Sequence, residues 1–539
     1  MRKLAVLTSH PIQYQAPLFQ RLAKDPKIDL MVYFCWDFGV DKESFDPEFG
    51  KKLKWDIPLL DGYNYKFLKN YSLKPDNKFF GLVNFGIVKE LKTNKYDLLF
   101  VHGWNSLTNI LAVFTAFSFG IPVAMHGDNC FACESVKPQW KRKLKKIILT
   151  NFFRKIRFFL YMGVEDKKFY QYHNVSENKL IFMPYATDND GFFKLAKTID
   201  REKIRRKESV DKNVVILFAG KFVPRKRPMD LLRAYEILTR NIRISPNITN
   251  KVRIIEKELS YKLNGIFFEI HNELGRFARE RQYADALEIK LKKNGIKYRR
   301  EFAADVAGRK SNIADFIISD KILIELKRKP VNNGDDYKQV MRYLEAFNLE
   351  LGLLVNFGLE YLKPRRVLNP KFKNDSVDSL NSDTFVNSGY NINLVFVGDG
   401  ALRSELEDHI RKHNIRNVHF AGFKNLTELP EYYAMADIFV IPSFNECWGI
   451  VVNEAMCFGL PVIASDTVGS IPDLVINGEN GFIYKTGDID ELAEKLNVLA
   501  KNKTKRHNFG KKSLEIVKNY SYENDIRGIL RAFEILAKP

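Results

Sequence analysis

The feature that most constrains the fold of this chain is a regular alternation of short apolar runs with amphipathic segments. Across residues 1–195 the runs are aliphatic, β-branched or aromatic, and the segments between them have helical spacing. Such alternation predicts an α/β fold in which a mostly parallel sheet is covered by helices on both faces. The predicted strands are Leu4–Ser9, Leu30–Phe34, Asp97–His102, Val123–His126, Phe158–Val164 and Leu180–Pro184.

A second αβ block begins at Val214–Gly220, continues into a predicted helix over Met229–Arg240, and is then interrupted. The pattern resumes at Ile392–Gly398. Two segments of low hydrophobicity, 243–250 and 374–391, flank the interruption and have the composition of linkers. An insertion at such a place is tolerable because the cost of closing a loop grows only logarithmically with its length.

These boundaries predict three domains and a final helix. The inserted part contains three predicted helices, Ile255–Gly275, Arg279–Asn294 and Asp335–Phe347, together with a β-hairpin. The final helix is predicted to return to the N-terminal domain. The domains are an N-terminal Rossmann-like domain at 1–195, a C-terminal Rossmann-like domain at 196–245 and 375–520, an inserted domain at 246–374, and the helical segment 521–539.

Composition and charge narrow the class of protein. The 539 residues include 86 Lys and Arg against 65 Asp and Glu, a net charge of +21, which predicts a polyanionic partner such as a phospholipid surface or a nucleic acid. The longest apolar run, Ile110–Met125, is interrupted by glycine and proline and is too short to span a bilayer. Five cysteines without a secretory signal fit a reducing cytoplasm. Among them, Cys130 and Cys133 form a lone C-x-x-C, either incidental or with a metal or redox role.

Two segments of the C-terminal block have the residues needed to bind a nucleoside diphosphate. The loop Gly220–Lys226 follows a strand, and glycine permits close approach of the backbone to phosphate while its cations supply charge. The alternative for this loop alone is an ordinary solvated basic loop. Further along, Glu446 and Glu454 lie eight residues apart. A helix starting near Gly449 would direct its free N–H groups and dipole into the same crevice, and Glu454 could reach a ribose.

In the N-terminal block, His10, His102 and His126 each fall at or just after the end of a predicted strand. In parallel sheets ligands bind at the carboxyl ends of the strands. Three histidines at equivalent strand ends therefore indicate a polar site there.

Together these motifs resemble the family-4 type, or group 1, of retaining glycosyltransferases with the GT-B fold. The resemblance covers 1–244 and 392–539, and the beginning of the chain is similar to a bacterial subset of that family. The motifs that carry it are Gly220–Lys226, the Glu446 and Glu454 pair, the turn Val468–Asp473, and the opening segment Ser9–Phe19.

The resemblance implies metal-independent transfer of a sugar from a UDP- or GDP-sugar, with retention, to a glycan or lipid-linked acceptor of the cell surface. It implies that Lys226 neutralises the leaving diphosphate, that Glu446 holds sugar hydroxyls and that His126 contacts the reacting sugar. The chain departs from the family at Lys221, where arginine is usual, and at His10, where a glycine-rich loop is usual. The implied donor-binding residues are Gly220, Lys221, Gly449, Ile450, Val451 and Glu454.

The inserted part contains a second candidate site. Glu325 and Lys327 lie two apart on a predicted strand and so share a face, and Asp315 lies on the preceding strand. A three-residue turn at 319–321 would place Asp315 opposite Glu325, whereas a two-residue turn would offset them. Two carboxylates and a lysine suit a Mg²⁺-dependent phosphodiesterase, whereas a surface ion pair is the simpler interpretation.

The wider pattern of the insertion resembles the GxxExxY family, which is similar to PD-(D/E)xK nucleases of the RecB type. The resemblance implies that Asp315 and Glu325 bind Mg²⁺ and that Lys327 orients the attacking water. It further implies that Glu280 completes the site and that Gln339 and Tyr343 touch nucleic acid. Because this superfamily includes members that have lost catalysis, nuclease activity stays open.

The segment 141–160 has eight cations, no anion and several aromatic residues. Such a basic amphipathic helix would lie on an anionic bilayer, or else pack its apolar stripe within the N-terminal domain. The sequence thus predicts a cytoplasmic glycosyltransferase, peripheral on the inner face of the cell membrane. The alternative is a Mg²⁺-dependent nuclease or nucleic-acid-binding protein acting through the insertion.

Overall fold

The computed structural model describes most of the chain. The described residues are 1–40, 44–46, 48–53, 55–76, 78–135, 138–210, 213–243, 257–306, 309–329, 334–359, 362, 364–369 and 392–537. The chain divides into a unit formed by 1–245 with 387–539 and a unit formed by 246–386. Most of the predicted linkers, 244–250 and 374–391, lie outside the described residues.

The elements before the insertion alternate between strand and helix, as the sequence pattern predicts. The strands are β1 Arg2–Thr8, β2 Ile28–Phe34, β3 Ser44–Asp46, β4 Lys51–Leu53, β5 Tyr65–Phe67, β6 Leu98–His102, β7 Val123–His126, β8 Phe158–Tyr161, β9 Leu180–Phe182 and β10 Val214–Ala219. The helices are α1 Ala16–Lys24, α2 Gly86–Asn94, α3 Leu107–Ser118, α4 Phe131–Ser135, α5 Gln139–Phe153, α6 Val164–Tyr172, α7 Asn189–Thr198, α8 Arg201–Lys207 and α9 Pro228–Arg243.

The inserted unit combines helices with a mixed sheet. Its helices are α10 Lys257–Leu274, α11 Glu280–Lys293 and α12 Gly334–Ala346, and its strands are β11 Tyr298–Val306, β12 Arg309–Ile318, β13 Ile322–Lys327, β14 Leu351–Asn356 and β15 Arg365–Leu368. The strand order is β11-β12-β13-β14-β15, in which β13 and β14 are parallel and the other neighbours are antiparallel. Apolar side chains on the two faces of this sheet form two cores, one beneath α10 and α11 and the other beneath α12.

After the insertion the αβ pattern resumes. The strands are β16 Ile392–Val397, β17 Val418–Gly422, β18 Ile438–Ile441, β19 Val462–Ser465 and β20 Gly481–Tyr484. The helices are α13 Arg403–His413, α14 Leu429–Met435, α15 Val451–Cys457, α16 Ile471–Leu474, α17 Ile489–Lys501, α18 Lys503–Val517 and α19 Tyr522–Leu536.

Two parallel sheets organise the larger unit. In the described part of the chain the N-terminal sheet has the order β5-β2-β1-β6-β7-β8-β9, and the C-terminal sheet has the order β17-β16-β10-β18-β19-β20. Strands β10 and β16 are direct neighbours, with Val214 paired with Ile392, although the insertion separates them in sequence. The last helix, α19, packs against β8, β9 and α1, so the chain returns to the N-terminal domain.

The strands are apolar on both faces because each sheet is covered by helices on both sides. Strand β10 is buried along its whole length, and so is β16. Each sheet accordingly has two apolar clusters, one per face. This arrangement leaves the carboxyl ends of the strands as the edge at which polar side chains can gather.

Candidate functional site

A cavity of about 470 Å³ lies at the carboxyl ends of the N-terminal strands. Strands β1, β6 and β7 are adjacent, and His102 pairs with His126 in their register. The cavity is lined by His10, His102 and His126, and on the opposite side by Tyr185 and Cys447. The three strand-end histidines therefore share one site, in the size range of small-molecule pockets.

His126 is held in one tautomer by the backbone. Its Nδ1–H donates to the carbonyl oxygen of Leu160 at 2.7 Å, which leaves Nε2 as a hydrogen-bond acceptor. Burial lowers the pKa of His126, opposed by the charge of Asp128 and by the Leu160 hydrogen bond. The ring lies nearly parallel to that of Tyr185, at a centroid distance of 6.2 Å. A neutral imidazole in this position can accept a hydrogen bond from a sugar hydroxyl.

His102 is the second buried imidazole of the cavity. The amide of Gln15 donates to His102 Nδ1 at 3.1 Å, since the Gln15 carbonyl oxygen already accepts from Thr8. The proton of His102 then resides on Nε2, which is buried without a hydrogen-bond partner among the described residues. Burial holds the pKa of His102 well below its usual value. Its Nε2–H is a donor available to a ligand hydroxyl.

The cation and carboxylate predicted from the C-terminal motifs are in direct contact. Lys226 Nζ donates to Glu446 Oε2, and both side chains are about 15% exposed. Arg225 approaches the same carboxylate, with Nη1 3.7 Å from Oε2. The Glu446 carboxylate also acts on Asp128: burial raises the pKa of Asp128, His126 lowers it, and Glu446 raises it further. His126, Asp128, Lys226 and Glu446 thus form one electrostatic group spanning both domains.

The backbone near Glu446 depends on two glycines. Gly449 has φ +87°, in the left-handed region, and the turn ahead of α15 bends there. Gly469 donates its N–H to the Glu446 carbonyl oxygen at 2.8 Å, and a Cβ at this position would lie 2.0 Å from the Cys447 oxygen. Helix α15 begins at Val451, two residues later than the predicted start at Gly449. The N–H groups of Val452 and Glu454 already donate to the carbonyl oxygens of Gly449 and Ile450, at 2.9 and 3.2 Å, so a diphosphate would have to be met by the N–H groups ahead of Val452.

Gly220 and Lys221 occupy the loop after β10. Gly220 has φ +155°. The backbone of Gly398 lies close to it, and a Cβ added at Gly398 would lie 1.9 Å from the Gly220 oxygen. In this conformation the Lys221 ammonium is held in ion pairs and is not available to a phosphate. Its Nζ lies 3.0 Å from Asp46 Oδ2 and 2.8 Å from Glu48 Oε2, both in the N-terminal domain. The predicted donor contact of Lys221 is replaced here by an ion-pair link between the domains.

Glu454 differs from the sequence prediction. It is fully buried, and its Oε2 accepts a hydrogen bond from the Tyr433 hydroxyl at 2.6 Å. Burial raises the pKa of Glu454 to about 7, against the lowering effect of its tyrosine hydrogen bonds. In this conformation the carboxylate cannot reach a ribose, because the first turn of α15 directs it into the protein interior and toward α14.

A thiol contact lies at the same cavity. Cys130 and Cys133 come from the N-terminal domain, and Cys447 comes from the C-terminal domain next to Glu446. The thiols of Cys130 and Cys447 both hydrogen-bond that of Cys133 and raise its pKa. Sequence reasoning pointed to the C-x-x-C alone, since nothing along the chain indicates that Cys447 would join it.

The inserted unit brings its three central predicted residues together. Pairing of Phe316 with Ile324 and of Ile318 with Ile322 sets a three-residue turn, so the register places Asp315 opposite Glu325. Asp315 Oδ2 accepts from the Leu326 N–H at 2.6 Å. Of the two turns that the sequence allowed, the structure has the three-residue one.

Glu325 is the most strongly perturbed group of the inserted unit's site. Its Oε1 lies 2.7 Å from Lys327 Nζ, while its Oε2 is buried without a hydrogen-bond partner among the described residues. Burial first, and then the charge of the neighbouring Asp315, raise the pKa of Glu325 to about 7, against the lowering effect of Lys327. Burial likewise raises the pKa of Asp315. Glu280, at the first turn of α11, is close enough for its charge to raise both pKa values.

Gln339 and Tyr343 lie one turn apart on α12. Gln339 Nε2 donates to the Tyr343 hydroxyl at 2.8 Å, and Tyr343 is buried. Tyr343 packs with Leu323, which shares the face of β13 that carries Glu325. Glu325, Gln339 and Tyr343 therefore gather on the α12 side of the sheet, whereas Glu280 lies on α11, which covers the other face.

Comparison with known families gives two matches. Residues 376–515 match the model of glycosyl transferases group 1, and residues 257–367 match that of the PD-(D/E)XK nuclease superfamily. The predicted resemblances to group 1 glycosyltransferases and to PD-(D/E)xK nucleases are confirmed, and the nuclease-like region lies between the two parts of the C-terminal αβ block.

Among curated proteins, part of this chain is similar to several glycosyltransferases. It is 35% identical over 132 residues to the sulfoquinovosyl transferase SQD2 of Arabidopsis thaliana, covering 24% of this chain and 25% of that protein. It is 28% identical over 164 residues to the capsular polysaccharide biosynthesis glycosyltransferase CapM of Staphylococcus aureus, covering 30% and 42%. The match to the uncharacterized glycosyltransferase MJ1178 of Methanocaldococcus jannaschii is 30% identical and covers 27% and 41%. The chain thus spans less than half the length of these relatives.

Solved structures match over nearly the whole chain. Anabaena Alr3699/HepE in complex with UDP has a TM-score of 0.56 at 14% identity, covering 99% of this chain and 100% of that one. Sucrose-phosphate synthase from Thermosynechococcus elongatus has a TM-score of 0.52 at 13% identity, covering 99% of each. At such identities the likeness concerns the fold, and it confirms the predicted GT-B architecture.

Proposed function

We propose that this chain, which carries a group 1 glycosyltransferase region on a GT-B fold, transfers a sugar from a nucleotide-sugar donor to a glycan or lipid-linked acceptor with retention. The observation that carries the proposal is the contact between Lys226 and Glu446 beside the cavity that contains His126. The proposed setting is the synthesis of a cell-surface polysaccharide. The capsular role of the similar CapM protein supports this setting.

The donor diphosphate is proposed to bind between the loop after β10 and the start of α15. A departing nucleoside diphosphate gains negative charge, so a cation and N–H dipoles directed at it stabilise the transition state. Lys226 supplies the cation, and the N–H groups of Gly449, Ile450 and Val451 supply the dipoles. Glu446 keeps the Lys226 ammonium in place and can accept hydrogen bonds from sugar hydroxyls. UDP in the Anabaena structure, which shares the fold, supports a nucleotide-sugar donor.

The transferred sugar is proposed to project from the diphosphate toward the histidine cavity. There Nε2 of His126 can accept a hydrogen bond, and Nε2–H of His102 can donate one. A site with both an acceptor and a donor suits a polyhydroxylated ligand. No step of this transfer requires a metal, since positive charge at the leaving group comes from Lys226.

The test is release of nucleoside diphosphate from a panel of UDP- and GDP-sugars, comparing the wild type with Glu446→Gln. We expect release from one donor and a decrease of roughly 10²–10³-fold in kcat for the variant, as for the loss of one preorganised electrostatic group. The anomeric configuration of the product, read by NMR, tests retention.

Glu479→Gln is the matched control, because Glu479 is an exposed acid of the same domain. It should release diphosphate at the wild-type rate. If the wild type releases diphosphate from no donor, or if Glu446→Gln and Glu479→Gln are equally active, the proposed function is wrong.

We also propose that α5 binds an anionic membrane and brings a lipid-linked acceptor to the cavity. Four large apolar residues lie along one face of this helix at helical spacing, and each is between 54 and 65% exposed. Helix α5 has five lysine or arginine residues and no acid. The apolar residues are Trp140, Leu144, Ile147 and Ile148. In the described residues no helix is long and apolar enough to cross a bilayer.

Flotation with vesicles of anionic or zwitterionic lipid tests this surface. We expect binding to anionic vesicles that weakens with salt and is lost in the double variant Ile147→Asp, Ile148→Asp. Phe268→Asp, at an exposed apolar residue of the inserted unit, is the control and should still bind. Equal binding to both lipid types, or retention by the α5 variant, contradicts the proposal.

A second candidate function, Mg²⁺-dependent cleavage of nucleic acid, is favoured by the buried Glu325 Oε2 that has no partner among the described residues. The PD-(D/E)XK family match implies Mg²⁺, and the chemistry fits because Asp315 and Glu325 offer the oxygen ligands a hard cation prefers. A bound Mg²⁺ would polarise a phosphate and lower the pKa of water. Lys327 would orient that water, and Gln339 and Tyr343 would contact the nucleic acid.

Incubation of the full chain with DNA and RNA and Mg²⁺ tests this function. We expect cleavage by the wild type and none by Lys327→Met, with Lys321→Met at the exposed hairpin turn as the control. Absence of cleavage by the wild type, with or without salt-dependent retention of nucleic acid, contradicts it.

A further inference from the structure

Two histidines and a glutamate converge on the C-terminal domain. His409 and His413 lie one turn apart on α13, and Glu236 lies on α9. Their ligand atoms all lie within 4.8 Å of one another, and Glu236 is buried. None of the three lines the cavity at the strand ends.

The geometry of the three side chains matches that of a metal site. His409 Nε2 lies 3.0 Å from Glu236 Oε2, and His413 Nδ1 lies 2.8 Å from Glu236 Oε1. Ligand atoms about 2.0–2.1 Å from a tetrahedral zinc ion are separated by roughly 3.3 Å. The two imidazole rings are stacked at a centroid distance of 4.1 Å with 17° between their planes. Each ring directs one nitrogen at a different oxygen of the same carboxylate. Because the rings are nearly parallel, one of them has to rotate for both nitrogens to point at a single ion.

The position on α13 also favours a cation. The carbonyl dipoles at the end of a helix make the last turn electronegative, and His413 is the final residue of α13. A divalent ion uses both imidazoles as neutral ligands and matches its charge to the buried carboxylate.

We propose that Glu236, His409 and His413 bind a zinc ion, with water in the fourth position. Imidazole and carboxylate ligands suit zinc, whose structural and catalytic sites are tetrahedral. Helix α9 ends at Arg243, the last described residue before the insertion, and α13 is the first helix after the chain returns in β16. The ion therefore cross-links the helix that leads into the insertion to the helix that follows it.

The experiment measures zinc binding by the full chain after removal of metals, using competition with a chromophoric chelator. We expect one more equivalent of zinc per chain in the wild type than in the double variant His409→Gln, His413→Gln. Substitution with Co²⁺ should give the visible absorption of a four-coordinate ion, and that absorption should be missing from the double variant.

Two further variants keep the test decisive if the double variant is poorly folded. Glu236→Gln preserves shape and hydrogen bonding but removes the charged ligand, so its zinc affinity should fall at least roughly tenfold. His507→Gln, at an exposed histidine of α18, should bind as the wild type does.

Zinc should also raise the melting temperature of the wild type and of His507→Gln but not that of Glu236→Gln. Equal zinc stoichiometry and affinity in all four proteins would overturn the proposal, and so would an absence of binding by the wild type. In either case the three side chains form only a hydrogen-bonded cluster.

Discussion

The carboxylate of Asp473 accepts a hydrogen bond from the backbone N–H of Val164 at 2.9 Å, and thereby caps the first turn of α6 from the other domain. The N-cap residue of α6 is Gly163, which has no side chain to serve that purpose. Asp473 lies in the Val468–Asp473 turn that also fixes the Glu446 backbone through Gly469. The Val468–Asp473 turn therefore fixes the backbone position of Glu446 and also holds the N-terminal domain against the C-terminal domain at α6.

Gly163→Ala should weaken the contact between the start of α6 and Asp473. A Cβ at Gly163 would lie 2.6 Å from Asp473 Oδ2 and 2.6 Å from the Trp448 ring, so α6 and these two side chains must move apart. We expect a loss of about 1–3 kcal/mol in the free energy of unfolding of the larger unit, typical of overpacking. Denaturant unfolding followed by tryptophan fluorescence measures it.

Gly86→Ala is the matched control for this prediction. Gly86 lies in the same N-terminal domain, and a Cβ there meets only Leu68 at 3.7 Å, an ordinary contact. If both alanine variants unfold at the wild-type denaturant concentration, the Asp473 contact does not limit the approach of the domains.

Glu454→Gln should stabilise the larger unit at alkaline pH and not at acid pH. The folded-state pKa of Glu454 is raised to about 7 by burial, so the native state holds a proton that the unfolded state releases near its ordinary pKa. Wild-type stability therefore decreases as pH rises from about 4.5 to 7. Glutamine does not titrate, and it can still accept the hydrogen bond of Tyr433.

The expected gain at pH 8 is at most roughly 3 kcal/mol, from 1.36 kcal/mol per pKa unit. Melting temperatures at pH 5 and pH 8 measure it, with Glu479→Gln as the exposed control. A gain of the same size at both values of pH would show that the carboxyl of Glu454 has an ordinary pKa.

Lys226 and Lys221 should differ in their effect on transfer. Lys226 is held by Glu446 at the proposed diphosphate site, whereas Lys221 is paired with Asp46 and Glu48. We expect Lys226→Met to lower kcat by roughly 10²–10³-fold. Lys221→Met removes partly exposed ion pairs, each worth about 0.2–1 kcal/mol, and should change kcat/KM by only a few-fold. Steady-state kinetics with the identified donor compare the two, and equal losses would assign the phosphate contact to both lysines.

Phe357→Ala should destabilise the inserted unit and leave sugar transfer unchanged. Phe357 is fully buried and stacks on Tyr283 at a centroid distance of 4.3 Å. Removing a buried phenyl ring costs about 3–5 kcal/mol. Limited proteolysis should cut within 257–367 in the variant, while Phe277→Ala, at an exposed ring, should resist like the wild type. A parallel loss of transfer activity would show that the two units depend on each other.

The order of the strands and helices could be predicted because apolar runs and helical spacing are local properties of the sequence. The motifs also placed Lys226 and Glu446 at one edge of a sheet, since both segments follow buried strands of that sheet. They did not predict that the two side chains would contact each other. The hairpin pattern limited Asp315 and Glu325 to two arrangements, and the turn conformation at Ser319 and Asp320, both with positive φ, decided between them.

The remaining features could not be predicted because they join segments that are distant in sequence. Nothing along the chain indicates that Lys221 would meet Asp46 and Glu48 in the other domain. Likewise, the spacing of Glu454 shows only that it lies on a helix. Its burial depends on how α15 packs against α14, where Tyr433 supplies a partner.

The pairing of β10 with β16 has a consequence for the order of folding. Their register cannot form until the ribosome has synthesised the whole insertion between them. Doubling the length of a loop adds only about 0.6 kcal/mol to the free-energy cost of closing it. The insertion therefore delays the pairing of β10 with β16 more than it destabilises the paired strands. During that delay the buried faces of β10 and α9 have no partner strand. The nascent C-terminal domain is therefore exposed to misassembly for as long as the insertion takes to be synthesised.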